Sequence, residues 1–133
     1  MIVVLDASGG VEVAARTDFG IDIMNTLMRA EMVLAPDLYI TEITNIIWKH
    51  SRNMKKDKEK CLVIVEDCVA LVHEYVKSED LWKDALLLAQ QHDHSVYDML
   101  YASLAKRNDA TLISLDKQLC RICEKISVQV KKF

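Results

Sequence analysis

Four acidic residues stand where carboxylates can do chemistry together. Asp6 directly follows the apolar run Ile2-Val3-Val4-Leu5, and Asp116 directly follows Thr111-Leu112-Ile113-Ser114-Leu115. In an open parallel sheet, ligands bind outside the carboxyl ends of the strands, which is where both aspartates would lie. Each has an equally simple alternative as the N-cap of the helix that follows it. Glu42 shares one helical stripe with Leu38, Asn45 and Lys49, beside an apolar face of Ile43, Ile46 and Ile47. It is either an exposed helix edge or a carboxylate that needs partners. Asp98 stands three residues after Ser95, so it is either half of a capping pair or an acid that a helix N-terminus aims at the others. Meeting at one sheet edge, such carboxylates would repel one another and drift toward protonation unless a cation neutralised them. Hard oxygen donors suit Mg²⁺ or Mn²⁺. The chemistry of such a centre is phosphodiester hydrolysis, with a water activated and the oxyanions stabilised by the metal.

The elements that must position these acids are legible in the hydrophobic pattern. Ile2 to Leu5 and Thr111 to Leu115 read as strands buried on both faces. Met32-Val33-Leu34, closed by Pro36, is a second strand, a short extended piece around His73 to Val76 a third, and Val128-Gln129-Val130 a last. Helices are expected after Gly9-Gly10, over Ile21 to Glu31, Asp37 to Asn53, Lys58 to Leu71, Glu79 to Gln91, Ser95 to Arg107 and around Leu119 to Cys123. In the fourth of these, Leu62, Val65, Val69 and Val72 have core spacing; Trp48 and Trp82 are expected to be partly buried core residues, with base stacking as the alternative. Gly9 and Gly10 either weaken the first helix or allow a close backbone approach. Strands alternating with helices imply an α/β sandwich with a mostly parallel sheet.

The chain of 133 residues is 51% hydrophobic and 28% charged, which fits a single domain over 1–133. Its apolar runs are too short to span a bilayer and no export signal opens it, so a cytoplasmic protein is expected. A net charge of -3 excludes coating nucleic acid by bulk attraction and leaves room for a local basic rim. Lys49, Arg52, Lys55, Lys56, Lys58 and Lys60 offer such a rim beyond Glu42, with Lys49 and Arg52 placed to meet substrate phosphates; the alternative is a solvated helix junction, since Asp57 and Glu59 dilute the run. Cys120 and Cys123 form a C-x-x-C, but zinc wants a second close pair. Cys61 and Cys68, seven apart, fall on one helix face instead.

Four segments together resemble the PIN-domain nucleases, and among them the VapC-type toxins. They are Val4-Leu5-Asp6-Ala7-Ser8, Ala35-Pro36 with Thr41-Glu42-Ile43-Thr44-Asn45, Ser95 to Ala105 with Tyr97-Asp98 at its head, and Thr111 to Asp116. The resemblance spans nearly the whole chain. It implies a three-layer α/β/α sandwich around a five-stranded sheet, with Asp6, Glu42, Asp98 and Asp116 as metal-holding catalytic acids and Ser8, Asn45 and Ser114 in support. It further implies cleavage of RNA, a homodimer, and a small antitoxin as partner. Ser114 stands where the family more often has Thr, which keeps a hydroxyl. Gly9-Gly10 depart from the bulkier residues usual there.

Two other α/β chemistries fit less well. A dehalogenase-type phosphatase wants a second Asp two residues after the first, where this chain has Ser8, and a phospho-acceptor receiver wants an acidic pair ahead of its Asp. A PIN-like module that keeps its acids but only binds protein is the remaining alternative, as is a solitary RNA-processing nuclease. Met24, Leu27 and Met28 on the second helix exceed what a small domain buries with ease, which predicts a dimer or an antitoxin helix against that stripe.

Overall fold

A computed structural model describes residues 1–54 and 57–133. The β-branched runs form five strands, β1 (Ile2–Leu5), β2 (Met32–Pro36), β3 (Glu74–Val76), β4 (Thr111–Ile113) and β5 (Gln129–Val130). Among the described residues they alternate with α1 (Ala7–Ala15), α2 (Asp18–Arg29), α3 (Leu38–Met54), α4 (Lys58–Ala70), α5 (Trp82–His92), α6 (Val96–Arg107) and α7 (Lys117–Lys125). A single 3₁₀ turn, Ser78–Asp80, precedes α5. No helix among the described residues is long and apolar enough to cross a membrane.

The sheet order is β3-β2-β1-β4-β5 and every pairing is parallel. The most apolar run takes the centre: Val3, Val4 and Leu5 are wholly buried. The short, more polar β3 and β5 take the edges, where less of the strand needs covering. From β1 the chain winds to β2 and β3, then returns past β1 to β4 and β5. Right-handed crossovers put the helices of these two excursions on opposite faces. Consistent with that, α1 packs on α2, α3 and α4, while α6 packs on α5, α7 and the three inner strands. The winding reverses at β1, so the crevice beyond the carboxyl ends of β1 and β4 is where this architecture binds ligands.

Both glycines after Asp6 lie inside α1, and the close-approach reading holds. A Cβ on Gly10 would stand 2.3 Å from the Tyr39 hydroxyl, which is itself held by donating to the Cys68 carbonyl at 2.8 Å. α2 starts at Asp18, earlier than its apolar stripe, because Thr17 caps it by accepting from the Gly20 amide at 3.0 Å. Of the expected stripe at α4, Val65 packs on the core and Val72 is buried, but Leu62 is not part of the inward face. Cys61, Ile64, Val65 and Cys68 face inward, and Leu62 is 65% exposed. The two cysteines thus share a helix face as expected. Trp48 and Trp82 are half exposed rather than core residues, each with a cation over its ring: Arg52 at 4.9 Å and Lys83 at 5.6 Å from the ring centroid.

Candidate metal centre

Asp6 is the hub. It caps α1, so its Oδ1 accepts from the Gly9 amide at 3.1 Å and from the Ser8 hydroxyl at 2.6 Å. Its Oδ2 accepts from the Ser114 hydroxyl. The two serines also tie the ends of β1 and β4 together. Ser8 Oγ accepts from the Leu115 amide at 2.9 Å, and Ser114 Oγ accepts from the Asp116 amide at 3.0 Å. Each hydroxyl therefore spends its proton on Asp6 and its lone pair on the β4 end. Burial nonetheless pushes the Asp6 carboxyl up from 3.8 to about 6. The hydrogen bonds from Ser114, Ser8 and Gly9 pull the other way, and the negative charge of Asp116 adds to the rise.

Glu42 projects from α3, half-buried, and its Oε1 accepts from the Tyr101 hydroxyl at 2.5 Å. Burial raises its carboxyl, the Tyr101 bond opposes that, and the charges of Asp6 and Asp98 raise it further. Asp98, in the first turn of α6, meets the Nε2 of His94 at 2.7 Å. Ser95 caps α6 by accepting from the Tyr97 amide at 3.1 Å. The expected reciprocal pair of Ser95 and Asp98 is thus not formed, because His94, four residues away on the approach to the helix, takes the acid instead. Asp116 is exposed and caps α7, with Oδ1 accepting from the Gln118 and Leu119 amides at 3.0 and 3.1 Å.

Capping and site formation are therefore not rival uses of Asp6 and Asp116. A strand-end aspartate that caps the next helix is held by that cap at the ligand edge. Repulsion links all four acids: Asp6 with Asp116, Asp6 with Glu42, and Glu42 with Asp98. Asn45 is exposed on α3. Lys49 and Arg52 lie further along the same helix, exposed, with Arg52 over Trp48. Lys55 and Lys56 lie outside the described residues.

The donor chemistry fits a hard divalent cation, and a buried carboxylate raised to about 6 beside like charges is an environment that a cation relieves. Among the described residues, no three His, Cys, Asp or Glu side chains stand close enough together to hold an ion as they are placed. The acids are turned instead onto Tyr101, His94 and the α7 amides. All four cysteines are free thiols, and Cys120 and Cys123 gain no third or fourth zinc donor among the described residues.

Two residues of the site lie outside the expected acidic set. Tyr101 belongs by spacing to the apolar stripe of α6. The usable signal is its hydroxyl, since a tyrosine that deeply buried needs a partner. Burial and the Glu42 charge hold its phenol far above its ordinary range, so it remains a donor at all physiological pH. His94 has the pattern of a loop residue, and the signal is its i, i+4 spacing to Asp98.

A parallel sheet with a switch point at an acid-lined edge defines a class of α/β protein, and the sequence shows which one. The model of the PIN domain matches residues 3–125, and the chain belongs to this family. It is similar to Ribonuclease VapC3 of Pyrobaculum aerophilum, 28% identical over 124 residues that cover 90% of this chain and 92% of that protein. In fold it is similar to PAE2754 from Pyrobaculum aerophilum, with a TM-score of 0.74 at 19% identity, covering 97% of this chain and 91% of that one. It is also similar to VapBC2 from Rickettsia felis bound to a DNA fragment from their promoter, with a TM-score of 0.71 at 17% identity over 100% of this chain and 99% of that one. The expected three-layer fold with five strands is thus the observed one, and its sheet is wholly parallel.

Proposed function

We propose that residues 1–133 act as one domain, a divalent-metal-dependent endoribonuclease of the VapC toxin kind, working in the cytoplasm. The observation that carries this reading is the buried Asp6 carboxylate, held by Ser8, Gly9 and Ser114 at the carboxyl ends of β1 and β4, with Asp116 capping the next helix at the same edge. Likeness to a protein named as a ribonuclease supports it. In this reading Asp6, Glu42 and Asp98 hold Mg²⁺ or Mn²⁺, directly or through water, and Asp116 completes the site. Ser8 and Ser114 fix the Asp6 carboxylate, Asn45 supports from α3, and Lys49 and Arg52 meet RNA phosphates. The chemistry that such an ion supplies is an activated water and stabilised phosphate oxygens.

For partners we propose a small antitoxin and a second copy of the chain. Ile21, Met24 and Met28 of α2 are 56%, 38% and 73% exposed, whereas Leu27 of the same stripe is buried. Ile21 and Met24 line a groove of about 440 Å³ with Leu71 of the α4 end. The VapBC2 assembly is a structure to which this chain is similar. One observation favours the catalytically silent alternative: each acid already has a protein donor, so the site is satisfied without an ion. Incubating purified protein with RNA in Mn²⁺, Mg²⁺ or EDTA separates the two. Cleavage that EDTA abolishes supports the nuclease, and no cleavage with either metal supports the silent module.

A further inference from the structure

The sheet order brings one more group of side chains to the edge where Asp6 lies. β1, β4 and β5 are successive parallel neighbours. The segments that leave their carboxyl ends therefore emerge on the same side: Asp6 after β1, Ser114 to Asp116 after β4, and Lys131, Lys132 and Phe133 after β5. A groove of about 390 Å³ lies between these last residues, Phe19 of α2 and the outer face of α7. Ser114 and Leu115 are part of its lining. They are the residues bonded to Asp6 and Ser8. The groove thus opens one residue away from the hub of the acidic site.

Its charge is opposite to that of the chain. Lys117, Arg121, Lys131 and Lys132 line it against the single acid Glu124, in a protein of net charge -3. Lys132 pairs with Glu124, and Lys131 lies 3.4 Å from Asp22. Lys117 and Arg121 are exposed one turn apart on α7, and neither forms an ion pair among the described residues. Two rings stand beside these cations. Phe19 and Phe133 meet edge to face with centroids 5.8 Å apart, yet remain 47% and 44% exposed. Lys131 stands over one face of the Phe133 ring, 5.7 Å from its centroid. Cations one helical turn apart beside half-exposed rings are the two features that bind an unpaired strand: the cations track its backbone and the rings stack its bases. A duplex offers no free base faces to such rings.

We propose that this groove binds single-stranded RNA, with Lys117 and Arg121 on its phosphates and the Phe19–Phe133 pair under a base. It leads the strand to Asp6 from the β5 side, opposite to Lys49 and Arg52. The proposal rests on the nuclease reading for its purpose, but binding can be measured without cleavage.

The experiment is fluorescence anisotropy with a labelled 12-nucleotide oligouridine in EDTA, repeated across a salt series. The doubly substituted Lys117→Ala/Arg121→Ala protein should bind about tenfold more weakly at 0.1 M salt, with a slope of log affinity against log salt shallower by about 1.4, the loss of two phosphate contacts on a single strand. Phe133→Ala should bind several-fold more weakly with an unchanged slope. A charge-matched control at the opposite, amino-end edge of the sheet, Arg29→Ala/Lys125→Ala at the ends of α2 and α7, should bind as wild type. Wild-type affinity and slope in Lys117→Ala/Arg121→Ala would overturn the proposal, and is the result expected if the groove takes an acidic protein segment. Equal losses in the control would also overturn it, by reducing the effect to bulk charge. If binding follows the expected pattern but no RNA is cut in Mn²⁺, the nuclease reading fails and the groove stands.

Discussion

The Tyr101 hydroxyl and the Glu42 carboxylate, fifty-nine positions apart in the chain, meet at 2.5 Å across the site. The bond joins α3 to α6 and sets where Glu42 points. Removing the donor leaves a half-buried carboxylate without its partner, which costs about 1–3 kcal/mol. Tyr101→Phe should lower stability by that amount at pH 7. The loss should shrink toward acid pH, because the bond favours the ionised form of a carboxyl that burial already raises. Urea melts at pH 7 and pH 5 check this, and an equal loss at both would contradict it.

Asp6 should make the protein less stable as pH rises. Its folded carboxyl, at about 6, lies above the unfolded value of 3.8, so the folded state binds the proton more tightly. This contribution favours folding below about pH 4 and is lost as pH climbs through 6, which amounts to about 3 kcal/mol at most. Asp6→Asn keeps the shape and removes the charge. Its melting temperature should exceed that of wild type at pH 7.5 and converge with it near pH 4. A variant less stable than wild type at pH 7.5 would show that the serine hydrogen bonds outweigh burial.

Asp98 discriminates between a structural acid and a metal ligand. In Mn²⁺ at about 100 times the dissociation constant, a cation that binds only the folded state stabilises it by about 2.7 kcal/mol. Asp98→Asn should lose most of that increment, whatever the loss of the His94 contact does to its metal-free melting point. Thermal melts in EDTA and in Mn²⁺ measure the increment. The same increment in both proteins would remove Asp98 from the site.

The exposed methionines of α2 are the test of association. Met28, at 73% exposure, can take a charge without disturbing the core. Met28→Asp should leave the melting curve of the monomer unchanged and shift sedimentation at high concentration from dimer to monomer. A wild-type protein that sediments as a monomer throughout would rule out the dimer.

How much of this is legible in the sequence depends on the range of the interactions involved. Asp6 and Asp116 are legible because their positions depend on neighbours: an apolar strand before, a helix to cap after. The central strands are legible because β1 is buried on both faces and so has no polar residue to blur it. The partner of Glu42 is not, since nothing local to Tyr101 in sequence distinguishes it from the core residues around it. Ser95 and Asp98 have the spacing of a capping box, but that spacing does not register a nearer histidine. The inward residue of the first turn of α4 escapes for a related reason. Leu62 and Cys61 are both apolar, and only the packing of α4 on α1 and α3 decides which of them turns inward.

If the acids around Asp6 cut RNA with a divalent metal, cleavage must need both the acids and the ion. The most direct measurement is cleavage of a labelled single-stranded RNA by wild type, Asp6→Asn and Asp98→Asn, each in Mn²⁺ and in EDTA, with folding monitored by circular dichroism. Wild type should cleave in Mn²⁺ and not in EDTA, and both folded variants should stay at background rates. Cleavage by either variant at the wild-type rate, or by wild type undiminished in EDTA, would contradict this reading.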